Sequence, residues 1–309
     1  MKTVLSVLVL FFGITVIRTS LSFADGWTPQ FSGTTAPLLG VSFVDANTGW
    51  AVGGGGTILA TTDGGDTWAP QESGTTNNLW GVCFVDANTG WTVGEFGTIL
   101  HTSDGGDTWT SQDSGMTNHL FGVSFVDGNI GTAVGGSDTI LRTEDNGATW
   151  TPQFAGGYFW GVSIVDANTG TAVGISGRIV RTTDGGGTWT PQSSGQEANF
   201  YSVSFVDADT GWTVGEVGIV GRTTDGGANW SFGYPGRGNN LFGLSFADAH
   251  IGTAVGELGT ILRTTNGFTW TNQSSGTSAS LVGVSFVDAN NGWAVGDTGT
   301  ILHTTTGGE

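Results

Sequence analysis

The chain has 309 residues, with eight Lys and Arg against 26 Asp and Glu, for a formal net charge of −18 at pH 7. Such an acidic surface repels phosphate backbones and anionic lipids, which argues against a nucleic-acid or membrane-surface ligand. A single cysteine, Cys83, rules out an internal disulfide, so packing alone must hold the fold.

Residues 1–24 read as a secretory signal peptide. Lys2 supplies the positive n-region, VLSVLVLFFGITVI the apolar h-region, and Ser22-Phe23-Ala24 puts small residues, Ser22 and Ala24, at −3 and −1 of a cleavage site. The apolar run is shorter than the roughly 20 residues of a membrane span. Cleavage after Ala24 removes Lys2 and Arg18, which takes the charge from −18 to −20. The expected product is exported to a periplasm, an organelle lumen or the medium, with no membrane insertion after processing.

Residues 25–309 repeat. GVSFVDANTG starts at Gly40, and related stretches begin at Gly81, Gly122, Gly161, Ser202, Gly243 and Gly283. A period near 40 made only of strand-like segments predicts an all-β propeller. Each unit parses into four short strands: GVSFV up to the turn DANTG, WAVG, TILRTT up to DGG, and TWTPQSSG. Seven copies predict seven four-stranded antiparallel blades. The last copy ends at TTTGGE without a fourth strand, whereas DGWTPQFSGTT at residues 25–35 is a fourth strand with no first three. The N-terminal strand is therefore expected to complete the last blade and close the ring, with no unpaired edge left over.

The turn before each fourth strand reads T-x-D-x-G-x-T-W. Asp63, Asp104, Asp145, Asp184 and Asp225 hold its acidic position, Asn266 stands there in a copy one residue short, and Thr306 in the last. A carboxylate there can accept N–H groups of its own turn, with glycine at positive φ and Trp covering the hairpin, so these are read as structural turns. The motif resembles the Asp-box (BNR) repeat of sialidases. The whole unit, GVSFVDANTGWAVGxxGTILRTTDGGxTW, is more similar to the photosystem II stability/assembly factor family, over essentially all of 25–309. That resemblance implies a seven-bladed propeller that binds an immature reaction-centre subunit without catalysis. The chain departs from many cyanobacterial members in lacking a lipoprotein cysteine.

Other chemistry finds little support. Sialidase-type hydrolysis needs an arginine triad and a Tyr/Glu nucleophile pair. Here only Tyr158, Tyr201 and Tyr234 exist, Arg178-Ile179 is followed by Val180, and every loop is short. DANTG contains a fragment of a calcium loop (Asp45 and Asn47, Asp86 and Asn88) but lacks the terminal bidentate Glu, so it is read as an Asx turn. His101, His119, His250 and His303 lack metal-ligand spacing. No metal or cofactor is expected. Cys83 replaces a serine of sister repeats and is read as a small buried residue.

Partner binding has three candidate regions. Arg142, Arg181, Arg222 and Arg263 occupy one third-strand position in four successive repeats, flanked by His101 and His303, with Ala60 breaking the series. They form either a guanidinium arc for a carboxylate-bearing protein segment or cross-blade ties paired with acids such as Glu144, Glu216 or Glu257. Trp80, Phe121, Trp160, Tyr201 and Phe242 precede their first strands, with Leu39 and Val282 in the other repeats. They should ring the axis as either a plug or a recognition surface. The loops AGGYFWG and FGYPGRGNNLF break the symmetry most, which marks Tyr158, Tyr234 and Arg237 as blade-specific contacts. The expected protein is an exported, monomeric, non-enzymatic scaffold that binds another protein. A glycan-binding or sialidase-like protein and a purely structural surface protein are the alternatives.

Overall fold

A computed structural model describes residues 26–309; the expected signal peptide, 1–24, lies outside them. Seven four-stranded antiparallel sheets follow one another around an axis. Blade 1 runs from the inner strand Leu38–Phe43 through Gly49–Gly53 and Ile58–Thr61 to the outer strand Ala69–Gln71. Blades 2 to 6 repeat this order. Blade 7 takes Leu281–Phe286, Gly292–Gly296 and Thr300–Thr304 from the C-terminus and Thr28–Gln30 from the N-terminus. Thr28, Pro29 and Gln30 pair with His303, Leu302 and Ile301. The ring is thus closed by the first strand of the described chain.

Closure reproduces a clasp found at five of the other six junctions. In blade 1, the Trp68 indole N–H donates to Gln30 Oε1 (3.3 Å), while Gln30 Nε2 donates to the Gly64 carbonyl (2.8 Å). The pairs Trp109–Gln71, Trp150–Gln112, Trp189–Gln153 and Trp230–Gln192 are equivalent. At the seam, Trp27 donates to Gln273 (2.9 Å), which in turn donates to the Gly307 carbonyl (2.8 Å). Trp27 is 6% exposed and packs with Leu281, Ala294 and Leu302.

The core lies between blades. Second strands are buried along their whole length because sheets stack on both faces. In six blades their first glycine sits under a Phe ring, and in blade 4 Gly170 sits under Ile164: a Cβ at Gly49 would lie 2.4 Å from Phe43, and at Gly90 2.5 Å from Phe84. The bare glycine lets the Phe ring lie flat, where it stacks on the tryptophan of the preceding blade. Phe84 lies 3.4 Å from Trp50, Phe125 3.5 Å from Trp91, Phe246 3.7 Å from Trp212 and Phe43 3.5 Å from Trp293, measured between centroids. Serines of GVSF add polar ties, as where Phe84 N–H donates to Ser42 Oγ and Phe205 N–H to Ser163 Oγ (both 3.1 Å). Cys83 holds this position in blade 2, packed beside Trp91 and Phe125, and burial pushes its thiol up to about 11.

Candidate functional site

The repeated turn is self-contained. Asp63 accepts Thr67 N–H (2.9 Å), Thr67 O–H (2.7 Å) and Thr61 O–H (2.8 Å). Asp104, Asp145 and Asp184 repeat the pattern. Asp225 uses Asn229, and Asn266 accepts the Phe268 and Thr269 N–H groups in the shortened copy. These donors lower the carboxyls of Asp63 and Asp104 to about 2. In the DANTG turns, Asp45 likewise accepts Asn47 and Thr48 N–H. The acidic groups of both motifs are thus spent on their own backbone.

The arginines obey a packing rule. Each third-strand position faces a second-strand residue: Ala60 faces Trp50, His101 Trp91 and His303 Trp293, whereas Arg142 faces Thr132, Arg181 Thr171 and Arg263 Thr253. One slot between blades is filled either by an indole or by a guanidinium above a threonine. Both fillings reach the next blade. Trp50 and Trp293 donate to the Gly105 and Gly64 carbonyls. Arg142 donates to Ala167 O (2.6 Å), Arg181 to Ala208 O and Arg263 to Ala289 O. Arg181 and Arg263 also bond the threonine they face, at 3.2 and 2.7 Å. Arg142 and Arg263 are only 6% and 5% exposed. Of the acids considered as partners, Glu144 pairs with Arg142 (3.2 Å). Glu216 and Glu257 instead accept from Asn199 and Asn240.

Blade 5 breaks the rule, because Trp212 faces Arg222. The indole holds the slot, stacked on Phe246 and donating to Gly267 O (3.0 Å). Arg222 is displaced onto the Phe268 ring, its guanidinium carbon 3.9 Å from the centroid. Its buried Nε has no hydrogen-bond partner, and burial pushes the group below its ordinary value. Two further departures meet there. Gly233 stands where other outer strands carry the clasp glutamine, and the facing turn, Asn266-Gly267-Phe268, is one residue short. The outcome is a cleft of about 480 Å³ between blades 5 and 6, lined by Trp212, Arg222, Phe232, Tyr234 and Phe268 among others. Phe268 and Tyr234 are 67% and 54% exposed. The cleft offers an unsatisfied cation between aromatic walls.

The structure therefore unites two of the sequence-derived candidates, Arg222 and Tyr234, and separates them from Arg142, Arg181 and Arg263. Arg237 is exposed in the Tyr234 loop at φ 54°. Tyr158 lies elsewhere, between Phe121 and Trp160 (centroids 5.3 and 5.1 Å) in the ring around the axis. Phe268, Phe232 and Trp212 escaped the sequence reading. The lost residue before Phe268 and the lost glutamine at Gly233 were the available signals. Among the described residues, no three His, Cys, Asp or Glu side chains form a metal-holding group, and no helix is long and apolar enough to cross a membrane.

Solved structures share this architecture. "YCF48 bound to D1 peptide" aligns over 92% of this chain and 96% of its own, at TM-score 0.77 and 24% identity. "YCF48 from Cyanidioschyzon merolae" aligns over 90% and 98%, at TM-score 0.74 and 21% identity. A virginiamycin B lyase from Staphylococcus aureus also aligns, over 91% and 99% at TM-score 0.78, but at 14% identity. At these identities the likeness is one of fold. None of the curated proteins matches the chain. The family model for "Photosynthesis system II assembly factor YCF48" matches residues 21–113 and 155–233, more than half of the sequence, and the chain belongs to that family.

Proposed function

We propose that this protein is a non-enzymatic assembly factor that binds a carboxylate-bearing segment of another protein in the cleft between blades 5 and 6. The observation that carries this reading is Arg222, the one member of the arginine series whose slot is taken by a tryptophan and whose guanidinium has no protein acceptor. A guanidinium partly removed from water and short of acceptors favours a carboxylate, and Phe268, Phe232 and Tyr234 supply apolar contact for the flanking residues. Family membership supports a protein partner, as does the solved YCF48 with its D1 peptide. Catalysis is not part of the reading: the one carboxylate that lines the cleft, Asp225, is spent on its own turn, accepting from Thr223 and Asn229.

The test is titration of the purified protein with the D1 peptide and with peptides whose carboxylates are free or amidated. Arg222→Gln should weaken binding about tenfold or more, as should amidation, in line with loss of a charge-assisted contact. Equal affinity of Arg222→Gln and wild type for every binding peptide would sink the proposal. In the same reading the protein is exported, loses residues 1–24 and acts as a monomer. N-terminal sequencing of the native protein should begin at Asp25, and sedimentation should give a single monomeric species. An intact Met1 or a stable dimer would overturn those parts.

A further inference from the structure

A second opening lies on the axis, at the start of the inner strands. Trp80, Phe121, Trp160, Tyr201 and Phe242 come from five successive blades and line a cavity of about 390 Å³. All five are half-buried, so they form a wall and leave the mouth open. Their rings touch in series. Trp80 lies 4.7 Å from Phe121, Trp160 5.2 Å from Tyr201 and Tyr201 5.4 Å from Phe242, and Tyr158 bridges the gap from Phe121 to Trp160. Blades 7 and 1 contribute only Val282 and Leu39, so the aromatic wall is an arc.

Three carboxylates are fixed beside this arc, while on the basic side His119 packs edge-on against Trp80 (5.2 Å) and Arg178 lies against Gly157, next to Tyr158. Glu216 accepts from the Asn199 backbone (3.0 Å) and amide (2.6 Å) and meets the Tyr201 hydroxyl at 3.3 Å. Glu257 is held by Asn240 in the same way, and Glu95 by Asn78. Burial, and after it Glu216, raise the Tyr201 hydroxyl, in keeping with the Glu216 carboxylate 3.3 Å from it at the cavity wall. The lining itself carries no charged side chain of either sign, so the Glu216 carboxylate at Tyr201 is the charge that meets it. Aromatic faces carry negative quadrupole density, and a carboxylate fixed beside them adds to the same potential. An anion would meet repulsion here, and a neutral apolar group would gain nothing from the negative potential that the aromatic faces and the Glu216 carboxylate share.

We propose that the axial funnel is a second binding site, separate from the Arg222 cleft, which takes the cationic side chain of a lysine or arginine from a basic segment of a partner protein. The hydrocarbon stem packs against Trp80, Phe121 and Trp160, and the charged head lies toward Tyr201 and Glu216. The two openings thus select opposite charges, so one propeller can hold two differently charged segments.

The test uses the full chain and intrinsic tryptophan fluorescence with calorimetry. The probes are a capped peptide of alternating Lys and Gly, its Glu counterpart, its Gln counterpart and tetramethylammonium chloride. The Lys peptide should bind at least about tenfold more tightly than the Gln peptide, and salt should weaken it. Trp160→Leu and the double variant Glu216→Gln/Glu257→Gln should each reduce its affinity about fivefold or more, as loss of a cation–π face or its supporting charge requires. Thermal melts of these variants at wild-type Tm establish that they fold. Arg222→Gln should leave Lys-peptide binding unchanged, so failure at the cleft and failure at the funnel are distinguishable. Tetramethylammonium binding as tightly as the peptide would replace the protein segment with a free small cation and overturn the assignment of the partner. Equal binding of the Lys and Gln peptides, or unaltered affinity in the glutamate double variant, would overturn the site.

Discussion

The slot rule makes a quantitative claim about arginines that look equivalent in sequence. Replace Arg263 by Ala. Its buried guanidinium bonds Thr253 Oγ1 and the Ala289 carbonyl and lies 4.7 Å from the Phe286 centroid. Two hydrogen bonds from a charged donor contribute about 1.5–3 kcal/mol each, and the ring contact adds roughly 0.5–2 kcal/mol. Release of the guanidinium to water returns part of this, since burying a charge costs several kcal/mol. The net loss should be about 3 kcal/mol, a fall in Tm of roughly 6–10 °C for a chain of this size. Arg222→Ala removes no hydrogen bond and only a stack on an exposed ring, so it should cost below about 1 kcal/mol. Urea unfolding of both variants gives the comparison. A further arm tests the cause: with Trp212→Thr the slot opens, Arg222 should drop into it, and Arg222→Ala should then cost at least ~1 kcal/mol more than in wild type, a coupling typical of residues in contact. Equal costs for Arg263→Ala and Arg222→Ala, or zero coupling between Trp212 and Arg222, would refute the reasoning.

Other outcomes follow from single features. Trp27→Ala removes a buried indole and its bond to Gln273, so it should destabilise by about 3–5 kcal/mol and expose the third strand of blade 7 to aggregation; chemical denaturation and light scattering check both. Val217 sits at φ 49°, half-exposed in the tip of its turn, a left-handed conformation that costs a β-branched residue about 1–2 kcal/mol, so Val217→Gly should raise stability by about 1 kcal/mol in the same assay. Desolvation lowers His101 and His303 in the fold, so below about pH 6.5 the unfolded chain takes up the extra protons and stability should fall with pH there; His101→Gln/His303→Gln should flatten that step in pH-dependent melts. Asp63 and Asp104, lowered from 3.8 to about 2, stabilise fully above pH 3.8, and their contribution should vanish as pH falls toward 2; absence of a second acid step would contradict the turn geometry.

Much of this molecule is legible in one dimension, because a propeller writes its symmetry into the chain. The period near 40, the four strands per unit and the orphan fourth strand at Trp27 all follow from local pattern, and the register of Thr28 with His303 is what that pattern demands. The Asp-centred turns were equally readable, since every bond of Asp63 is made within six residues. The fate of the arginines was not. Arg142, Arg181, Arg222 and Arg263 share one repeat position, yet whether each ties two blades or stands free depends on the cross-strand neighbour and the next blade, at sequence distances of 10 and 25 to 27 residues. Likewise, Gly233, Trp212 and the short turn before Phe268 are minor irregularities in separate places along the chain, and only the stacking of blade 5 on blade 6 superimposes them into one cleft. Local hydrogen bonding and periodicity are properties of the sequence itself. Competition between two side chains for one space is a property of the assembled core, where volume is shared and only one of them can have it.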